Sequence, residues 1–140
     1  MSILDSLLSV KETTLEMQKG VFKSKMLQRF LKAEEPVEVI YSELPSKRVK
    51  TLLGKQFDNK GNFSWDNAQR TKALLVAESL KDPYLRDERL LEKFDSATPA
   101  DLAEKLFGME IIELSDRICT LSGVTLGEEE AQKEFEEIKN

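Results

Sequence analysis

Beyond residue 80 the chain is cut by helix starts and stops so closely set that only short helices fit between them. Asp82-Pro83 closes whatever helix precedes it, because a proline disfavours the helical conformation at the residue before it. Asp87 is placed to cap a short helix running to Phe94, with Leu90, Leu91 and Phe94 on one face. Thr98-Pro99-Ala100-Asp101 supplies an N-cap threonine, a proline at the first helical position and an acid at the third. Gly108 stops or kinks that helix, Ile111, Leu114, Ile118 and Leu121 make the next apolar stripe, and Gly123 ends it.

The first half reads differently. Ser2 to Val10 predicts a short helix with Ile3, Leu4, Leu7 and Leu8 on one stripe, and Ser2 with Asp5 resembles a capping box. Thr13–Met17 has a weak strand-like alternation. Phe22, Met26, Leu27, Phe30 and Leu31 recur at helical spacing, which predicts a helix over 22–31. Pro36 then breaks the chain before Val37-Glu38-Val39-Ile40-Tyr41, an alternating β-branched and aromatic run that predicts a strand. Pro45 opens a helix with Leu44, Val49, Leu52 and Leu53 as its apolar face and Gly54 as its stop. Residues 58–62, Asp-Asn-Lys-Gly-Asn, form a turn that separates the two halves.

Ala73-Leu74-Leu75-Val76-Ala77 is apolar on every side, so periodicity alone does not separate buried helix from central strand. Good helix formers, with Asp66 as an N-cap, favour helix. The fold class expected is α+β, mostly helical, with one or a few strands in a short N-terminal mixed segment and a helical C-terminal half. A single domain over 1–127 is expected, followed by an acidic and mobile tail, 128–140, whose only large apolar residues are Phe135 and Ile138.

The composition narrows the chemistry. Apolar residues make up 40% and charged residues 34% of 140, the balance of a globular protein. Histidine is absent, which removes Ser-His and Cys-His nucleophile pairs and histidine metal sites. The one cysteine, Cys119, lies between Ile118 and Leu121 and reads as a small core residue in a reducing compartment. Six glycines never cluster into a phosphate loop or a dinucleotide fingerprint. Asp82, Asp87 and Glu88 lack the regular oxygen spacing of a calcium loop and read as caps and turns. Trp65 beside Phe63 reads as a core anchor rather than a base-stacking platform.

The net charge is −5, with a mildly positive first part and a negative remainder. Lys47, Arg48, Lys50 and Lys55 are the densest basic group and read as solvated surface, too weak for a nucleic-acid footprint. No run is long and apolar enough to span a membrane, and Met1-Ser2-Ile3-Leu4-Asp5 lacks the character of a secretory signal. The expectation is a non-catalytic, cytoplasmic binding protein with no cofactor and no metal, and no nucleic-acid or membrane partner.

The order Leu80-Lys81-Asp82-Pro83-Tyr84-Leu85-Arg86-Asp87-Glu88-Arg89-Leu90-Leu91-Glu92-Lys93-Phe94, then Ala97-Thr98-Pro99-Ala100-Asp101-Leu102, carries a resemblance. Lys105-Leu106, Glu110-Ile111, Leu121-Ser122-Gly123 and Glu136-Glu137-Ile138-Lys139-Asn140 continue it. Residues 70–140 resemble the tail assembly chaperones of long-tailed bacteriophages and of prophage tail particles in Gram-positive bacteria. Two positions depart from the pattern: Asp95 stands where the family tends to have glycine, and no proline precedes Gly108.

The resemblance implies a protein that binds the tape-measure protein, keeps its apolar helices soluble and helps the major tail (tube) protein assemble around it. It implies absence from the mature virion, and a family often made in two lengths by frameshifting, with a chain ending at Asn140 as the short form. A structural tail adaptor or completion protein retained in the particle is the alternative, and self-association is open. A chaperone for apolar helices needs an apolar face of its own, and Phe22, Met26, Phe30 and Leu31 are the candidate contacts.

Overall fold

A computed structural model describes residues 2–10 and 17–124 of the chain. In chain order its elements are α1 (Ile3–Leu8), β1 (Lys19–Ser24), α2 (Lys25–Leu31), β2 (Val37–Ser42), α3 (Ser46–Gly54), α4 (Trp65–Ser79), β3 (Leu80–Asp82), α5 (Glu88–Lys93), α6 (Pro99–Phe107) and α7 (Glu110–Leu121). The protein is α+β and mostly helical, as its sequence predicts. The strand expected at 13–17 and the tail at 128–140 lie outside the described residues, apart from Met17, which is in no element.

The sheet is antiparallel in the order β1-β2-β3. Phe22 pairs with Val39 and Gly20 with Tyr41, so one face presents Phe22, Val39 and Tyr41 to the interior. This corrects the helix predicted over 22–31. Helical spacing of Phe22 with Met26 is coincidental, because Lys19–Ser24 hydrogen-bonds along its length to β2, and Ser24 begins the helix two residues later than Phe22. β3 also had no separate signal. Leu80–Asp82 continues directly from α4 and pairs with β2 across a register shift, with the cis Asp82-Pro83 bond at its end.

α4 explains its own all-round apolarity. Ala73 and Val76 face a core built with the sheet, α6 and α7, where Phe107, Leu102, Leu114 and Ile118 are fully buried. Leu75 faces a second core with Val49, Leu52 and Leu53 of α3 and with Cys119 and Val124. Over 73–77 the helix lies between two apolar clusters, so this stretch is apolar on every side, while Gln69 and Arg70 before it face out. Its N-cap is Ser64, whose hydroxyl accepts from the Asn67 amide at 3.3 Å; Asp66, the predicted cap, sits in the first turn beside the positive helix end.

The later punctuation behaves as predicted. Asp87 caps α5, and a hydrogen bond from the Arg89 side chain pulls its carboxyl down to about 2. Thr98 caps α6, and Gly108 (φ 53) and Gly123 (φ 82) take left-handed turns after α6 and α7. Asp95 also lies in that region, at φ 47. A glycine is the ordinary occupant of such a position, which accounts physically for the residue that the resemblance places there.

Candidate protein-binding surface

The four side chains singled out from the sequence do not form one face. Phe22 is 3% exposed, with Arg117 held 5.4 Å above its ring, and packs in the core rather than beside the other three. Met26 is half-buried, while Phe30 and Leu31 are 56% and 62% exposed.

α2 is positioned chiefly from its first turn. Ser24 is fully buried, accepts from the Leu27 amide at 3.0 Å and donates to the Glu110 carboxylate at 2.6 Å. The other Glu110 oxygen accepts from the amides of Lys25 at 2.9 Å and Met26 at 3.4 Å. One carboxylate from the first turn of α7 therefore satisfies the start of α2, where free N–H groups and the helix dipole favour an anion.

This clamp gathers apolar side chains that are distant in sequence. Phe30 lies 5.6 Å from Phe94 between ring centroids, and a Cβ built on Gly108 would meet the Met26 methyl at 3.4 Å. Next to Gly108, Met109 is 78% exposed. The surface thus runs from Phe30 and Met26 to Phe94 and Met109. Arg29 reaches the Met26 sulfur at 3.1 Å, and Lys105 donates to the Phe94 carbonyl at 2.8 Å, so cations border it. Sequence reasoning missed Phe94 and Met109 because only the α2–α7 clamp and the turn at Gly108 bring them here.

A second apolar stripe is uncovered: Ile3, Leu4, Leu7 and Leu8 of α1 are all exposed. Trp65, expected in the core, is 71% exposed at the start of α4, with its ring edge-on to Phe63 at 5.0 Å. It lies outside because the inward positions of α4 begin at Ala68 and Thr71.

A cleft of about 520 Å³ runs between β1 and α7, lined by Phe22, Lys23, Glu110, Glu113 and Arg117 among others. Glu113 and Arg117 pair with each other at 3.0 Å. Among the described residues no three His, Cys, Asp or Glu side chains gather as a metal site, and no helix is long and apolar enough to cross a membrane. Cys119 is buried, and that burial pushes its thiol up to about 12, so a thiolate nucleophile is not available there.

The fold is thus a helix-rich α+β body that presents apolar side chains around a capped helix. The chain belongs to the family of phage XkdN-like tail assembly chaperone proteins, which matches residues 4–139. No curated protein matches it. Among solved structures it is similar to the crystal structure of the protein yqbn, with a TM-score of 0.56 and 15% identity over 81% of this chain and 92% of that one, a likeness of fold.

Proposed function

We propose that this chaperone binds the tape-measure protein in the host cytoplasm, shields its apolar helices until the tube protein encloses them, and leaves before the virion is complete. It does so without turning over a substrate. The observation that carries the reading is the apolar surface of exposed Phe30 and Met109 with half-buried Met26 and Phe94, in a chain that belongs to a tail assembly chaperone family. An amphipathic helix lying in an apolar surface is held by a few large side chains at its centre, and the flexible thioethers of Met26 and Met109 adapt to varied helices. The exposed stripe of α1 adds a second apolar element that can close over a bound helix.

The test is co-expression. Tape-measure protein made alone is expected in the insoluble fraction, and made with this chain it is expected soluble and co-purifying. Tape measure that stays insoluble beside well-folded wild-type protein refutes the reading. Recovery of this chain in purified particles supports instead a structural adaptor retained in the tail.

A further inference from the structure

β1 lies at one end of the sheet order and, among the described residues, pairs with β2 alone. The phase of its ladder is fixed just before the strand, where the Glu43 amide donates to the Gln18 carbonyl at 2.8 Å. Gln18 thus turns its carbonyl toward β2, and in an antiparallel pair every second residue after it, Gly20, Phe22 and Ser24, turns its backbone groups the same way. Lys19, Val21 and Lys23 turn their N–H and C=O groups to the other side, along the outer edge of the sheet.

That edge opens on the cleft of about 520 Å³ between β1 and α7, whose β1 wall is Val21, Phe22 and Lys23. The acids of the α7 wall are already engaged. Both Glu110 oxygens hold the start of α2, and Glu113 pairs with Arg117 at 3.0 Å. Glu38 stands opposite Lys23 in the register, yet no ion pair among the described residues includes Lys19 or Lys23. Both lysines are exposed, and Val21 between them is 49% exposed. The edge therefore offers a cation, an apolar side chain and a second cation on one face, with outward backbone donors and acceptors at each.

A second copy of this chain fits that edge badly. Antiparallel pairing of two β1 strands about Val21 sets Lys19 of each copy against Lys23 of the other, and like charges directly opposite are destabilising. Lysines on an edge strand oppose self-pairing in this way. They attract the complementary pattern of acid, apolar residue and acid.

We propose that β1 takes an added strand from another protein, an extended segment with acids at alternate positions around an apolar residue. Its backbone continues the sheet along Lys19–Lys23, its carboxylates stand beside the two lysines, and its apolar side chain covers Val21. Main-chain hydrogen bonds hold such a strand, and its alternate side chains select it. This edge is separate from the α2 surface, and its docking stands independently of what that surface binds.

The probe is a fluorescent, end-capped peptide Thr-Glu-Thr-Val-Thr-Glu-Thr, added to the full-length chain and followed by anisotropy and amide exchange. Binding that weakens as salt rises is expected. Exchange is expected to slow at the amides of Lys19, Val21 and Lys23 and to stay unchanged at Gly20 and Phe22, which already face β2. Lys19→Glu/Lys23→Glu alters two exposed side chains and is expected to fold as the wild type does. It is expected to bind the acidic peptide about tenfold more weakly and to take Thr-Lys-Thr-Val-Thr-Lys-Thr in its place. An acidic peptide N-methylated at both glutamates and the valine is expected not to bind, since its ladder donors are gone. Failure of the acidic peptide to bind overturns the proposal, as does equal binding of the basic peptide by the wild type. Binding that leaves the three edge amides exchanging as before overturns it too. So does slow exchange at those amides before any peptide is added, which assigns the edge to this chain itself, or to a second copy where protection grows with protein concentration alongside a dimeric mass.

Discussion

Glu110→Ala removes the carboxylate that joins α7 to the start of α2, and its cost follows from what is left behind. The Ser24 hydroxyl, fully buried, keeps the Leu27 amide but loses the acceptor for its own proton at 2.6 Å. An unsatisfied buried donor costs about 1–3 kcal/mol. The Lys25 and Met26 amides lose a charged acceptor near a helix N-terminus, but they lie closer to solvent and water replaces part of that bond. The sum expected is about 2–3 kcal/mol, because losses that share one carboxylate do not add fully. For a chain of this size that lowers the melting temperature by roughly 6–12 °C. Glu110→Gln keeps a side-chain acceptor and is expected to lose about half as much. Ser24→Ala combined with Glu110→Ala is expected to cost clearly less than the two separate losses together, since the two residues share one bond. Thermal and urea unfolding followed by circular dichroism measure the wild type and the four variants. A Glu110→Ala protein melting within about 1 °C of wild type, or strict additivity with Ser24→Ala, refutes the clamp.

Three further outcomes follow from single positions. Gly20→Ala drives a methyl into the ring of Tyr41, its register partner, and is expected to cost about 1–3 kcal/mol, read as a lower urea midpoint at unchanged slope. Cys119 is expected to resist a thiol reagent at pH 8 in the native protein and react at once in urea; an unfolded thiol ionises near 9 while the folded one holds its proton to about 12, so this residue makes stability fall as pH rises between those values, and Cys119→Ala removes that slope. Asp95→Gly relieves a left-handed backbone at φ 47 and is expected to raise stability by about 0.5–1 kcal/mol in the same unfolding assay.

Residues with local signals were legible in the sequence. Thr98-Pro99, Asp87, Gly108 and Gly123 act within one helical turn, so cap chemistry alone located α5, α6 and α7. Val37–Tyr41 was legible because β-branched alternation and Pro36 agree. β1 was not, since Phe22 stands at helical spacing from Met26 and Lys19-Gly20-Val21-Phe22-Lys23-Ser24 lacks the alternation of Val37–Tyr41. Trp65 was misplaced because an aromatic side chain does not reveal whether the core reaches the first residue of a helix; on α4 the inward positions begin one turn later, at Ala68. Of the proposed surface, Met26 and Phe30 share α2 and are adjacent in the sequence pattern, whereas Phe94 and Met109 are brought near them by tertiary contacts such as Ser24–Glu110 that have no local signature.

The central claim is that the α2 surface holds the partner through apolar contact. It is tested most directly by titrating wild type and Phe30→Ser/Met109→Asp against a labelled tape-measure segment. Both replaced side chains are mostly exposed, so the variant is expected to melt near the wild type. Affinity is expected to fall at least about tenfold, the loss of two large apolar anchors, with little dependence on salt. A folded variant that binds the segment as tightly as wild type contradicts the account.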